Sequence, residues 1–587
     1  MQKKWLIKSA PDQKEVEDLG RNLKVSPIVA EMLLQRNISS FDEARRFFRP
    51  TKADLYDPFL MKNMQKAVSR LKTALEKNEK IRVYGDYDVD GTTSVAMMYD
   101  YLLAHEAQVD YYIPDRYAEG YGVSEKGIER AHEDGIQLLI TLDCGIKANN
   151  TIAKARAYGI DVIVCDHHMP GDQVPDAIVL DPKQNDCSYP YKELSGCGVG
   201  FKLLTALTKE MEWQEEKLWS YLDLLAISIA ADIVPVTGEN RIFAQFGLEQ
   251  LNHTPRLGIK KMVTLAQKPF PLTLTNVVFI IAPRINAAGR MGDATEAVEL
   301  LLSNDTSKVH ERAKAIHTAN EERKSLDEEI TNEALLLLEE DDKHDSYCTN
   351  VVFKKGWHKG VIGIVASRII ETHYRPTVVL TQPNEGDLLT ASVRSIKGID
   401  VHEVLEECSD VLEQFGGHYY AAGLSLREEK LADFRKCFDD AVRKRLKSET
   451  LIPEQVLERE LQFDDIYTVG ESLLEVPRIK RILNQFEPHG PGNMKPVFVS
   501  RNVFTQEAKL LKEKHLKAKW YQQEKRILID GILFNHPEAL EMATSNEPID
   551  IVYTLEVNEW KGRSTLQLNI KDLRYSAVPT LKTHKVK

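Results

Sequence analysis

Three apolar runs in this chain each end on acidic residues, and the third adds a pair of histidines. Tyr84-Gly85-Asp86-Tyr87-Asp88-Val89-Asp90-Gly91 closes the first, Thr141-Leu142-Asp143-Cys144-Gly145 the second and Asp166-His167-His168 the third. Short apolar runs between helical patterns read as buried strands of a parallel sheet, and in such sheets ligands bind beyond the carboxyl ends of the strands. Neighbouring strand ends would gather these carboxylates and imidazoles at one place, where unpaired carboxylates repel and resist ionising together. Divalent cations remove that repulsion. Mixed carboxylate and imidazole donors suit Mn2+ or Mg2+, and also Zn2+ or Fe2+. The donors outnumber the needs of one ion, which predicts two ions sharing a bridging carboxylate and in-line displacement at phosphorus.

Each motif alone has a plainer reading. Asp86, Asp88 and Asp90 alternate between Gly85 and Gly91, which permit sharp turning and close backbone approach. The same residues would make an Asx-rich turn that caps a helix beginning near Thr92-Thr93-Ser94, where backbone N–H groups could receive phosphate oxygens. Asp143 and the 166–168 triplet change the balance, because two adjacent histidines preceded by an aspartate have no ordinary packing role.

The elements that must position these residues follow from periodicity. Strands over 81–84, 111–113, 138–142, 162–164 and 178–180 alternate with helical patterns over 64–77, 92–103, 126–133 and 149–158, which predicts a doubly wound α/β domain. Residues 303–342 hold no Gly or Pro and read as one long connecting helix capped near Asn304-Asp305-Thr306; two helices of a bundle are the alternative. A second, smaller α/β pattern follows, with strands at 351–353 and 377–380 and a helix at 363–372. Short β-rich runs at 497–503, 527–534, 549–555 and 565–570 suit a small barrel such as an OB-fold. The expected plan is an N-terminal segment 1–60, a catalytic domain 61–302, a connecting helix 303–343, a second α/β domain 344–450, a barrel 451–577 and a tail 578–587.

Composition sets the limits. At 587 residues, three or more domains are expected, and 43% hydrophobic with 28% charged residues is ordinary for a soluble protein. The net charge of −12 argues weakly against a nucleic-acid partner, but bound metal would cancel part of it and a global sum hides local basic surfaces. The basic N-terminus has no long apolar stretch behind it, so no signal peptide is expected, and the apolar segment 224–231 is too short to span a bilayer. Seven cysteines without a Cys-x-x-Cys pair argue against a disulfide framework or structural zinc and fit a reducing cytoplasm.

The motifs together resemble the DHH phosphoesterase superfamily, named for the triplet at 166–168, and within it the bacterial RecJ exonucleases. Further stretches carry that resemblance: Ile113-Pro114-Asp115-Arg116 with Glu119-Gly120-Tyr121-Gly122; Gly196-Cys197-Gly198-Val199-Gly200-Phe201-Lys202; Ala231-Asp232-Ile233-Val234-Pro235; and 282–291, from Ala282-Pro283-Arg284 to Gly289-Arg290-Met291. Gly356-Trp357-His358-Lys359-Gly360, running on to Arg368, and Gly416-Gly417-His418 resemble the DHH-associated substrate domain. The resemblance implies that Asp232, otherwise a buried cap before Pro235, completes a ligand set of Asp88, Asp90, Asp143, His167 and Asp232 around two ions. In the wider superfamily the first motif begins with His. Tyr84 stands there here, and Asp86 supplies the missing donor. His168, beside Asp166, contacts either metal or the scissile phosphate. The implied activity is 5′→3′ hydrolysis of single-stranded DNA to 5′-mononucleotides in recombination and repair. The implied setting is a monomer in the cytoplasm, away from membranes, alongside a RecQ-like helicase and a single-strand-binding protein. The rival readings are a DHH hydrolase of short oligonucleotides or cyclic dinucleotides, and a non-catalytic DNA-bound scaffold; a scaffold should have lost ligands that this chain keeps.

A nuclease also needs cations to orient phosphates. Arg284 and Arg290 lie in a Gly-containing segment that reads as loop, and would serve catalysis unless they form surface ion pairs. Trp357 and His358 precede a Gly-rich helix start that favours an anion. Ser392, Arg394 and Ser395, with Gly416, Gly417 and His418, offer a pocket for a phosphate or a 5′ end, although glycine pairs also make plain turns. In the barrel, a basic run from Lys509 to Arg526 that includes Lys517 and Lys519 is interleaved with Trp520 and Tyr521. It suits tracking of a single strand, or else is a solvated hairpin face diluted by Glu507, Glu513 and Glu524.

Overall fold

Strands β1 (Ile81–Gly85), β2 (Val109–Tyr112), β3 (Leu138–Leu142), β4 (Asp161–Cys165) and β5 (Ile178–Leu180) form one parallel sheet in the order β2-β1-β3-β4-β5. Every residue of β1 and β3 is buried, which is why these strands read as unbroken apolar runs rather than alternating ones. The structure is a computed structural model and describes residues 3–382, 386–447, 450–468, 470–522 and 525–576. The expected tail at 578–587 and Glu524 lie outside the described residues.

Helix α1 (Val89–Ala104) begins three residues before the expected 92, because the Asp88 side chain caps it by accepting from the Gly91 N–H at 3.0 Å. Asp90 therefore lies in the first helical turn. Helices α2 (Gly196–Glu210) and α3 (Leu222–Ala231) complete the layer behind the site, and the apolar segment at 224–231 is a core helix, buried throughout up to Ala230. The stretch expected as a loop is instead α4 (Ala282–Met291), entered through a π-helical turn at Val277–Ile281. Pro283 sits in its first turn, where no N–H is needed. Gly289 is there for close packing: a Cβ on it would stand 2.8 Å from the Tyr87 carbonyl oxygen.

The long helix α5 (Thr306–Glu339) is a single element of 34 residues, capped by the Asp305 carboxylate on the Ser307 and Lys308 N–H groups. Its buried stripe runs Val309, Ala313, Ile316, Asn320, Arg323, Asp327, Ile330, Ala334, Leu338, the three-four spacing of one helical face. The last three pack into a core with Val352, Trp357, Val365 and Val379 of the second α/β domain. That domain holds β6 (Asn350–Phe353), α6 (Ile362–Thr372), β7 (Thr377–Thr381), β8 (Leu388–Arg394), β9 (Gln414–His418) and β10 (Ala421–Arg427). Its sheet has the order β9-β10-β8-β7-β6, antiparallel except for β6–β7.

Residues 56–453 make up one compact unit; residues 5–55 and those from 454 onward make up a second. In the second unit β11 (Phe498–Leu511), β12 (His515–Gln522), β13 (Lys525–Leu533), β14 (Ile549–Trp560) and β15 (Arg563–Tyr575) run in the order β11-β12-β13-β15-β14. Pairing of β11 with β14 closes the barrel. The expected N-terminal segment is not a module of its own. Val29, Met32 and Leu33 share a core with Phe486, Phe498 and Trp520. The Arg36 guanidinium forks onto Glu458, 2.8 Å away, with both side chains 4% exposed.

Candidate metal centre

Strand register alone aligns the acidic residues. Gly85 pairs with Leu142, Leu142 with Cys165, and Cys165 with Leu180. The residue that follows each of these four strands is an aspartate: Asp86, Asp143, Asp166 and Asp181. After β1 the chain moves outward to β2 and then returns to the other side of β1, so β1 and β3 flank the switch point where an open sheet leaves a crevice. Asp143 takes the left-handed conformation at φ +59°, which a short polar side chain tolerates.

The cluster forms around His167. Its Nε2 lies 3.1 Å from Asp143 Oδ1, 3.5 Å from Asp232 Oδ2 and 3.9 Å from Asp90 Oδ2. Asp232 arrives from the C-terminal end of α3. Asp90 is held by the start of α2: Gly196 N–H donates to one oxygen at 2.7 Å, Cys197 N–H to the other at 2.9 Å, and the Ser228 hydroxyl adds a third bond at 2.6 Å. The helix N-terminus thus supplies two of the three donors that fix this carboxylate in place.

Burial first, then the neighbouring Asp90 and Asp88, raise the Asp143 carboxyl well above its ordinary range; the same causes push Asp232 up to about 9. Asp88 is raised by burial and Asp90, and Asp86 by burial and Asp88. Burial lowers His167. Asp143 Oδ1 and both His167 ring nitrogens are buried without a hydrogen-bond partner. Orphaned oxygen and nitrogen donors beside mutually repelling carboxylates are the environment a divalent cation satisfies. Two donor sets lie within ion-binding reach, Asp143 with His167 and His168, and Asp90 with His167 and Asp232. His167 belongs to both.

Asp166 is a positioning group. Its Oδ1 accepts from the backbone N–H of His167 and His168 and faces His168 Nδ1 at 2.8 Å, and its Oδ2 accepts from Ile146 N–H at 2.9 Å. Burial opposes its charge, yet His168 and these donors hold its carboxyl down at about 2. Burial works against a charged His168 too, and Asp166 outweighs it, raising the imidazole above its ordinary value. Its Nε2 lies 3.3 Å from the Tyr121 hydroxyl. Asp181 was not among the sequence candidates. It is fully buried, burial pushes it up to about 7, and its signal was the same apolar run closed by Asp.

A cationic pocket lies in the same unit. Arg290 donates to the Gly360 carbonyl at 2.9 Å, and burial followed by Arg116, Arg323 and Arg394 brings it down to about 10. Burial and Arg116 lower Arg394 as well. Among the described residues none of Arg116, Arg290 and Arg394 forms an ion pair. Gly363, in the first turn of α6, keeps the floor open: a Cβ there would lie 2.9 Å from Arg394 Nη2 and from Ser392 Oγ. Arg116 was legible only as part of a motif, and Arg323 only as a charge on the inner face of α5. His418, with Tyr121, Lys147 and His168, lines a neighbouring cavity of about 550 Å³. Gly416 and Gly417 lie in β9 rather than in a turn.

Other candidates make contacts of their own. Arg284 is 3% exposed and bonds the Ile280 carbonyl and His317, so it braces the π-helical turn. Trp357 is 5% exposed and donates to Glu333 at 2.7 Å, tying α5 to the second domain. The Ser395 hydroxyl closes a turn on the Ile399 carbonyl, and His358 Nδ1 accepts from Gly360 N–H.

Residues 80–229 match the DHH family, N-terminal domain; residues 344–444 match the DHHA1 domain; residues 476–572 match the RecJ OB domain. The single-stranded-DNA-specific exonuclease RecJ of Bacillus subtilis is 39% identical over 575 residues, covering 98% of this chain and 71% of that protein. The chain belongs to the RecJ family of single-stranded-DNA-specific exonucleases. RecJ of Escherichia coli is 32% identical over 581 residues, covering 95% of this chain and 97% of that protein. The crystal structure of Thermus thermophilus RecJ in complex with Mn2+ superposes with a TM-score of 0.82 at 28% identity, covering 98% of this chain and 80% of that one. A second Thermus RecJ structure holds Mg2+.

In this RecJ chain the barrel departs from the expected stacking surface. Trp520 is fully buried, because β12 alternates and places Leu516, Ala518 and Trp520 inward while Lys517 and Lys519 face outward. Lys519 pairs with Glu507 at 2.6 Å. Among the described residues Trp560 is the most exposed aromatic of the barrel, 71% exposed at the tip of the β14–β15 hairpin. There Lys561 and Gly562 both take positive φ, as a two-residue hairpin turn requires, and Arg563 follows.

Proposed function

We propose that this protein degrades single-stranded DNA from the 5′ end to 5′-mononucleotides by metal-dependent phosphodiester hydrolysis, in DNA recombination and repair. The observation that carries the reading is His167 within 3.1–3.9 Å of carboxylates from a strand end and two helix ends, in the same unit as three arginines that, among the described residues, form no ion pair. Two Mn2+ or Mg2+ ions held by Asp88, Asp90, Asp143, His167 and Asp232, with Asp86 near, would neutralise the cluster and stabilise charge on the attacking and leaving oxygens. The protein's own groups do the rest. Asp166 fixes the tautomer and direction of His168, which offers a cationic donor to the scissile phosphate. Arg116, Arg290, Arg394 and Ser392 receive the terminal phosphate, whose extra charge over an internal diester makes the end the favoured register. Tyr121 and His418 border the space beside His168. Trp560, Lys561 and Arg563 of the barrel engage the single strand.

The family resemblance supports a helicase that supplies the strand and a single-strand-binding protein that shares it, with the enzyme acting as a monomer in the cytoplasm. Among the described residues no helix is long and apolar enough to cross a membrane. Single strands labelled at the 5′ or 3′ end, digested with Mn2+, Mg2+ or chelator, test the reading. Metal-dependent release of labelled mononucleotide from the 5′ end first, lost in Asp143→Ala with DNA binding kept, is expected. Cleavage by Asp143→Ala near the wild-type rate, or release from the 3′ end first, would refute it.

A further inference from the structure

Many helices end with a residue in the left-handed region just past the last turn, and glycine is the usual choice because a Cβ is strained there. Helix α3 ends with Asp232 as its cap, and the next residue, Ile233, has φ +59°. A β-branched side chain in that conformation is a steric outlier. Burial does not compensate: Ile233 is 65% exposed, while Val234 and Val236 are buried and anchor the turn. Conformation and solvation both favour another residue here. A second exposed apolar side chain follows the histidine pair. Met169, directly after His168, is 64% exposed. The 3.5 Å approach of His167 Nε2 to Asp232 Oδ2 brings the two elements together, so both apolar side chains follow directly on the cluster.

We propose that Ile233, with Met169, forms an apolar lip that packs against the nucleobase of the nucleotide being cleaved, and so positions its phosphate over the carboxylate cluster. The proposal rests on the nuclease reading above. Carboxylates and guanidiniums around the cluster suit phosphate and sugar oxygens, and the Tyr121 ring borders His168; Ile233 and Met169 add exposed aliphatic surface there. A base stacked on aliphatic carbon is held by its face, common to all four bases, so the contact adds grip without sequence preference. Strain in a surface residue beside the chemistry is then retained for function.

The test compares kcat/KM for single strands ending in a normal 5′ nucleotide or in an abasic one, in wild type, Ile233→Gly and Ile233→Asn. Both replacements accept the left-handed conformation, so neither should unfold the protein, and Ile233→Gly should melt at or slightly above the wild-type temperature. Burying one aliphatic side chain on a base predicts that wild type prefers the normal end by about tenfold. In both variants the ratio should fall toward one through slower cleavage of the normal strand, with Mn2+ affinity by calorimetry unchanged. Variants that keep the wild-type ratio, or a wild type indifferent to the missing base, would overturn the proposal. A wild type that cleaves neither strand would instead refute the nuclease reading.

Discussion

Gly196→Ala tests whether the ligand geometry is set by backbone contact between α2 and the end of β3. A Cβ at Gly196 would lie 2.6 Å from Asp143 Cβ and 2.7 Å from Asp143 Cα. Carbon atoms pack at roughly 3.5–4.0 Å, so about 1 Å of separation must be found. Asp143 cannot yield without leaving His167, 3.1 Å away. Nor can α2 retreat without loosening the Gly196 and Cys197 N–H bonds that hold Asp90. Either relief displaces a ligand, and a 1 Å misplacement costs about a hundredfold in rate. Overpacking of this kind destabilises by about 1–3 kcal/mol. The assay is steady-state release of mononucleotide at saturating Mn2+, with Mn2+ affinity by calorimetry and melting in chelator. The expected result is a hundredfold lower kcat with weaker Mn2+ binding. Gly198→Ala is the control: its Cβ would meet Leu194 at an ordinary 3.4 Å, so activity within threefold of wild type is expected. A Gly196→Ala enzyme that also stays within threefold would show that close packing at the helix start does not fix the ligands.

Removing the Arg394 guanidinium with Arg394→Ala should reduce the preference for 5′-phosphorylated over 5′-hydroxyl strands by roughly ten- to a hundredfold, the worth of one charge-assisted bond; an unchanged ratio of initial rates would place the end-reader elsewhere. The two barrel tryptophans should separate cleanly. Trp520→Ala should cost about 3–5 kcal/mol of stability, whereas Trp560→Ala should leave melting unaltered and weaken binding of long single strands by about 1–3 kcal/mol; equal effects in both assays would contradict the assignment. Asp232, raised to about 9 by burial and then Asp90, holds its proton at pH 7 in the metal-free protein. Mn2+ binding should therefore expel a proton, measurable as a difference in binding heat between buffers of unlike ionisation enthalpy. The folded metal-free state binds protons that the unfolded chain releases above pH ~4, so its stability should fall as pH rises from about 4 toward 9. A flat pH–melting profile in chelator would refute the carboxylate repulsion.

The strand-end aspartates were legible because strands buried on both faces leave continuous apolar runs, and register then places the next residue of each side by side. Asp181 obeys the same rule at the end of a run of only three apolar residues, Ile178-Val179-Leu180, so the sequence marks it more faintly. Asp232 ends a helix, where no strand-end rule applies, and only the family resemblance supplied it. At Trp520 the pattern outweighs composition: Leu516-Lys517-Ala518-Lys519-Trp520 alternates strictly, and that alternation assigns the indole to the face opposite the lysines. The segment that holds Arg284 and Arg290 resembles loop because Gly289 precedes Arg290, whereas Gly289 serves close helix packing. The partnership of residues 5–55 with the barrel left no trace, since residues more than 400 positions apart share no local pattern.

That partnership has a consequence for synthesis. The apolar face of residues 16–44 leaves the ribosome early, and its partners, from Leu461 to Ile570, follow more than 400 residues later. At about 5–20 residues per second, the interval is roughly 20–80 s. Throughout it, Val29, Leu33 and their neighbours have no core to enter and are open to chaperones and proteases, while the intervening unit folds. A deletion meant to remove only the barrel would make that exposure permanent, so the unit is best excised or expressed as two pieces supplied together.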